Sequence, residues 1–314
     1  MPTMSGNRVS ARLTWLVALL FVVVAVGVSL GKYLSVAEVS AAPAATEQVL
    51  DATPPPAPYI HPYIVDEFHR LVAAPNKIEV VCPAPSESVG VLLVLGQSNA
   101  ANFGEKRMTS VYPGKVVNYF SGKCYEAASP LLGAGGEEGE FLTPLADKLI
   151  SDGVYKAVVI VATAIGSSSV SQWGTGGDLS PLLQLVLNDL RGKFKVSEVV
   201  WHQGEADYRN TTLAAYARSF RSLQADLRQA GVAAPIFISV ASRCGPLSTW
   251  KARNPISKAQ RSLVDGRRVL LAANTDFLIN TADRRQDQCH FGAVGQEKAA
   301  SAYAYAIKRH RRAF

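Results

Sequence analysis

Histidine is scarce in this sequence, with five in 314 residues, at positions 61, 69, 202, 290 and 310. No two stand one helical turn apart, which removes the HExxH type of metal site. The four cysteines show no CxxC spacing, so a zinc centre finds no support there either. A stripe of interleaved basic and aromatic residues is also missing. Part of the formal charge of +7 sits at the two ends, in Arg8 and Arg12 and in Lys308, Arg309, Arg311 and Arg312, and the rest is scattered. That pattern describes a soluble surface with a basic tail, and no nucleic-acid partner. There is no internal repeat. What remains is a globular composition, 48% hydrophobic and 18% charged, long enough for one large domain or two modest ones.

The N-terminus carries one long apolar run. Residues 13–30 (LTWLVALLFVVVAVGVSL) bear no charge and approach the length that crosses a hydrocarbon core as a helix. Arg8 and Arg12 precede the run and few cations follow closely, so the positive-inside rule puts a short tail, 1–12, in the cytoplasm. The sequence thus predicts a membrane anchor over 13–31, with the rest of the chain on the periplasmic or extracytoplasmic side. The competing reading is a cleavable signal peptide, with small residues around Ala41 and Ala42 at the cut, giving a secreted protein. Residues 32–62, rich in Ala, Pro and Thr, form an extended linker, and 63–314 form the folded domain.

Within that domain, short β-branched runs alternate with helical patterns. Residues 89–95 (VGVLLVL), 157–162 (AVVIVA), 198–201 (EVVW), 236–240 (IFISV) and 269–273 (VLLAA) suit strands buried on both faces. Helices are expected from Ser180-Pro181, over 213–229, from Asn254-Pro255, and over about 294–312. The fold class is therefore α/β, a three-layer α/β/α sandwich around a central parallel sheet. In such sheets reactive groups gather at the carboxyl ends of the strands.

Polar clusters follow these strands. Gly96-Gln97-Ser98-Asn99 comes directly after the first, where a tight turn can expose a serine. Ala164-Ile165-Gly166-Ser167-Ser168 follows the second, and Gly166 would let its backbone approach a substrate. His202-Gln203-Gly204-Glu205-Ala206-Asp207 follows the third, a density of polar groups that needs pairing to be buried. Asp287-Gln288-Cys289-His290 precedes the last helix. With His61 and His69 in or near the linker and His310 in the tail, His202 and His290 are the candidates for a general base. A carboxylate three residues from His290 can fix its tautomer. In an oxidising compartment Cys244 is expected to pair with Cys289, both at loop ends near the site, and Cys82 with Cys124 by elimination.

In this order, GQSN, WHQGEAD and DxxH resemble the SGNH (GDSL-like) hydrolase superfamily, in its sialate O-acetylesterase-like carbohydrate esterase branch. The resemblance runs over residues 89–307. It implies Ser98 as nucleophile, His290 as general base and acid, and Asp287 as its orienting carboxylate. It further implies an oxyanion hole of the Ser98 and Gly166 N–H groups and the Gln203 side-chain amide. Gln97, Asn99, Glu205 and Trp173 are then expected to support these groups or line the pocket, Glu205 by orienting Gln203 or the nucleophile loop. The second cluster departs from the family's frequent Gly-Gly-Thr pattern.

The chemistry so implied is removal of O-acetyl groups from a glycan through an acyl-enzyme on Ser98, with no metal or organic cofactor. An α/β-hydrolase is disfavoured, because Ser98 follows the domain's first strong strand and the Asp and His lie close together. Two rivals share the site: transfer of the acetyl group to another sugar, and a tethered, idle glycan-binding module. Acetylated sialic acid, xylan, peptidoglycan and exopolysaccharide all fit, the pocket being set by loops such as 131–141 (LLGAGGEEGEF), which lacks the GK[ST] ending of a phosphate cradle.

Overall fold

The computed structural model describes residues 62–313. The predicted tail and anchor, and all but the last residue of the linker, lie outside these. Among the described residues no helix is long and apolar enough to cross a membrane.

The elements run β1 (Ile64–Val65), β2 (Leu71–Ala73), β3 (Glu79–Val80), β4 (Val89–Gly96), β5 (Val116–Phe120), β6 (Lys123–Glu126), α1 (Leu142–Ser151), β7 (Ala157–Ala162), α2 (Ser180–Leu190), β8 (Glu198–His202), α3 (Leu213–Gln229), β9 (Ile236–Val240), α4 (Pro255–Leu263), β10 (Val269–Asn274) and α5 (Ala293–Arg311). The main sheet has the order β10-β9-β8-β4-β7-β5-β6-β3. It is parallel from β10 to β5. The predicted parallel sheet therefore gains an antiparallel margin, β5-β6-β3. Ser121 and Gly122, both at positive φ, make the two-residue turn between β5 and β6. The Cys82–Cys124 disulfide holds the segment after β3 to β6.

Every residue of β4 is buried, because the strand is covered on both faces. Val91, Leu93 and Leu95 point into a core shared with α2, α3 and α4. Leu92 and Val94 point into another shared with α1 and α5. Burying one such side chain contributes about 2 kcal/mol, so a charge anywhere along this run would be incompatible with the layers. At the start of α4, Asn254 Oδ1 accepts from the Ile256 and Ser257 N–H groups. Ser180 does not cap α2 as its residue type suggests. It lies within the first turn beside Pro181, and Leu179 holds the cap position without a side-chain bond.

Strands β7 and β8 flank β4 on opposite sides, so the chain crosses the centre of the sheet between them. Such a crossover opens a crevice at the carboxyl ends, and the loops after β7, β4 and β8 meet there.

Candidate active site

The site begins with two strand ends pressed together. Gly96 has φ of +135°, and a Cβ there would stand 2.0 Å from His202 O. Glycine thus lets β4 close onto the end of β8, where the Gln97 N–H reaches His202 O at 3.0 Å. The chain then turns through a short 3-10 helix, Ser98–Ala100, with Ser98 at its first position and only 5% exposed.

Gln97 and Asn99, on either side of Ser98, do different jobs. Gln97 Oε1 accepts from the Ala206 N–H at 3.0 Å and, more weakly, from the Gly204 N–H at 3.3 Å, which binds the loop after β8 to the nucleophile turn. Asn99 Nδ2 donates to Glu205 Oε1 at 2.9 Å and to Cys289 O at 3.1 Å. Its Oδ1 accepts from the Phe291 N–H at 3.0 Å. The neighbour of Ser98 therefore grips the chain immediately before and immediately after His290. Glu205 thus bonds to the nucleophile loop through Asn99, and no side-chain bond joins it to Gln203 among the described residues.

Asp287 and His290 form a tight pair. Asp287 Oδ2 accepts from His290 Nδ1 at 2.6 Å, and Oδ1 accepts from the Cys289 and His290 N–H groups at 2.9 and 3.0 Å. The loop turns between them at Gln288, whose φ is +57°. Burial pushes the Asp287 carboxyl up, but the Cys289 N–H, the His290 ring and the His290 N–H outweigh it and leave the pKa lowered. An ionised Asp287 requires Nδ1 to carry the proton in the neutral ring, so Nε2 is the free acceptor. No hydrogen bond joins Ser98 Oγ to His290 among the described residues; the two are brought together through Asn99. The Cys244–Cys289 disulfide anchors the same loop.

His202, the other candidate base, is wholly buried behind the site. Its Nε2 meets Thr275 Oγ1 at 3.0 Å, Nδ1 has no hydrogen-bond partner, and burial lowers its pKa against the opposing Glu205 carboxylate. A ring so enclosed cannot exchange protons with a substrate.

The oxyanion candidates divide. Neither the Ser98 nor the Gly166 N–H donates to an acceptor among the described residues, which leaves both available. The Gln203 side chain is instead turned inward. It is fully buried, and Nε2 faces Asp207 Oδ2 at 2.5 Å, Ser168 O at 3.1 Å and Gln97 Oε1 at 3.4 Å. Trp173 does not line a pocket. It lies buried against Trp201 and donates to Ser168 Oγ at 3.0 Å, supporting the Gly166 loop from beneath.

Two participants escaped the sequence reading. Phe103 stacks on the His290 ring, with centroids 5.3 Å apart and planes at 18°. The far edge of the same ring approaches Gly166, where a Cβ would lie 3.0 Å from its Cζ. An aromatic five residues past Ser98 has no spacing rule to announce it. Arg284 is buried, donates to Cys289 O and Thr275 O at 2.5 and 2.6 Å, and lies over the Phe291 ring. Burial lowers its pKa to about 10, so it stays charged at neutral pH. Its position just before DxxH was the available signal.

The fold and the family follow from comparison. Among solved structures, a protein from Arabidopsis thaliana superposes with a TM-score of 0.53 at 15% identity, over 73% of this chain and 99% of its own. A carbohydrate acetylesterase from Xanthomonas citri gives 0.49 at 15% identity, over 72% and 57%. A carbohydrate esterase family 3 protein from Talaromyces cellulolyticus gives 0.47 at 10% identity, over 72% and 99%. No curated protein matches the sequence. Residues 88–309 match the carbohydrate esterase family described as sialic acid-specific acetylesterases. That stretch contains all four polar clusters, so the chain belongs to this family and is a carboxylic ester hydrolase acting on acetylated carbohydrate.

Proposed function

We propose that the protein removes O-acetyl groups from a glycan through an acetyl-enzyme on Ser98. The observation that carries this reading is the Asp287–His290 pair, held beside the nucleophile turn by Asn99 on both sides of His290. With Nδ1 committed to Asp287, His290 Nε2 takes the Ser98 hydroxyl proton as Oγ attacks the acetyl carbonyl carbon. The Ser98 and Gly166 N–H groups receive the oxyanion. Collapse expels the sugar oxygen, which takes the proton from His290. Water then repeats the sequence, its proton passing to His290, its oxygen to the acetyl carbon, and Ser98 is restored.

Ser98→Ala is expected to lower kcat on a chromogenic acetate ester by about a thousandfold or more, with the circular dichroism spectrum unchanged. Activity surviving in a folded Ser98→Ala protein would remove the acyl-enzyme.

The same reading places the enzyme outside the cytoplasm. Two disulfides among the described residues and the uncharged run at 13–30 support it. Membrane fractionation with N-terminal sequencing separates a retained anchor from a cleaved signal, and a cytoplasmic protein with reduced thiols would overturn both.

A further inference from the structure

Beside the Gly166 loop lies a cavity of about 420 Å³, within the size range of small-ligand sites. One wall is that loop, with Gly166 and Ser167, and beyond it Gln172 and Asp178. The other is the turn between β1 and β2, with Glu67, Phe68 and His69. The turn is built rather than loose. Asp66 Oδ1 accepts from the Phe68 and Arg70 N–H groups at 3.1 and 2.9 Å, and Arg70 Nε closes on Oδ2 at 2.8 Å. His69 sits at φ of +61°. The Leu71 N–H reaches Ala134 O at 2.9 Å, fastening the turn to the loop 131–141. At Gly135 of that loop a Cβ would stand 3.2 Å from His69 O and 3.5 Å from Gly166 N, so three loops converge at the oxyanion glycine.

The chemistry of the walls is specific. The side chains of Glu67, His69, Ser167 and Asp178 make no hydrogen bond or ion pair with other described residues. Gln172 Oε1 is held by the Ser169 N–H at 2.8 Å, which leaves its Nε2 as a donor without an acceptor among the described residues. No lysine or arginine lines the cavity, while two carboxylates do. Carboxylates accept well from sugar hydroxyls, and Phe68 offers an apolar surface for the face of a pyranose ring. A carboxylate on the ligand would meet two like charges in the walls, with the single imidazole of His69 as the one side chain there able to oppose them.

We infer that this cavity is the subsite for the sugar bearing the acetyl ester, and that it takes a neutral sugar in preference to a sialic acid. The inference rests on the esterase reading above and adds the substrate class. It is tested with the full protein by acetate release from neutral acetylated glycans (acetylated xylo-oligosaccharide, acetylated chitobiose), from O-acetylated sialic acid, and from 4-nitrophenyl acetate.

The unaltered protein should favour a neutral glycan over the sialate. In the Glu67→Gln/Asp178→Asn protein, the ratio of kcat/KM on that glycan to kcat/KM on 4-nitrophenyl acetate should fall about tenfold or more, chiefly through KM. That is the scale of losing hydrogen bonds to charged acceptors. Faster release from the sialate than from every neutral glycan overturns the inference, as does an unchanged ratio in the double variant. Release from no neutral glycan overturns it too. Failure to cleave even 4-nitrophenyl acetate counts instead against the esterase reading.

Discussion

Asn99 spans three loops with one amide, joining Ser98's turn to Glu205 and to the backbone on both sides of His290. Replacing it with alanine strands the Phe291 N–H, leaves the Cys289 carbonyl with Arg284 as its donor, and takes the side-chain donor from Glu205 Oε1, while Oε2 has no partner among the described residues. Each stranded group costs about 1–3 kcal/mol, and partial relaxation makes a net loss of about 2–4 kcal/mol the expected outcome by urea denaturation. The kcat should fall with it, because His290 loses its register against Ser98; full kcat at lowered stability would mean that Asn99 only supports the fold. Ser98, Asp287 and His290 were legible because each stands in a polar cluster next to an unmistakable element. Gln203 was legible as a residue but not in its orientation. Which way an amide turns depends on acceptors such as Asp207 Oδ2 and Ser168 O, and the latter comes from another loop that only the fold supplies.

The two disulfides separate stability from activity at the level of elements. Cys82–Cys124 fastens the sheet margin at β3 and β6, on the side away from β8, whereas Cys244–Cys289 anchors the loop that carries His290. Their sequence separations of 42 and 45 are nearly equal, so removing either should cost a similar amount, about 4 kcal/mol. Paired serine substitutions should therefore lower Tm alike, while only the Cys244/Cys289 pair depresses kcat. Equal loss of kcat in both would mean that the disulfide near His290 has no particular hold on it. The same margin marks where the sequence stopped being readable. Strands β4 and β7 are continuous apolar runs, and β8 and β9 keep apolar stretches (VVW and IFI) between or before their polar residues, as burial on both faces demands. In β5 (VVNYF) the run is broken by Asn118, which is buried because its amide pairs with the Leu132 backbone through both ends. Helix α1 lacks the usual capping residue. Glu140, just outside it, accepts from the Leu142 and Thr143 N–H groups instead.

Across the whole molecule the site sits on a sheet whose two apolar cores leave little room for charge, and His202 is where that tension becomes measurable. Its ring lies between Phe141 and Phe291, with centroids 6.2 and 5.4 Å away, and Nε2 meets Thr275. Burial is the larger influence and lowers its pKa below the ordinary 6.5; Glu205 opposes this and Arg284 reinforces it. The folded protein therefore resists a proton that the unfolded chain accepts. The stability tied to a neutral His202 is fully present above pH 6.5 and is lost as the pH falls from there toward the lowered folded value. Other groups also titrate on acidification, so the informative quantity is a difference. Unfolding free energies from urea curves between about pH 8 and pH 5 should show the unaltered protein losing stability more steeply than His202→Asn, a residue that takes up no proton. The gap between the two should narrow by about 1.4 kcal/mol per pH unit at most, the limit for one proton. Parallel curves would mean that the folded ring accepts its proton as readily as the unfolded chain, with Glu205 as the compensating charge.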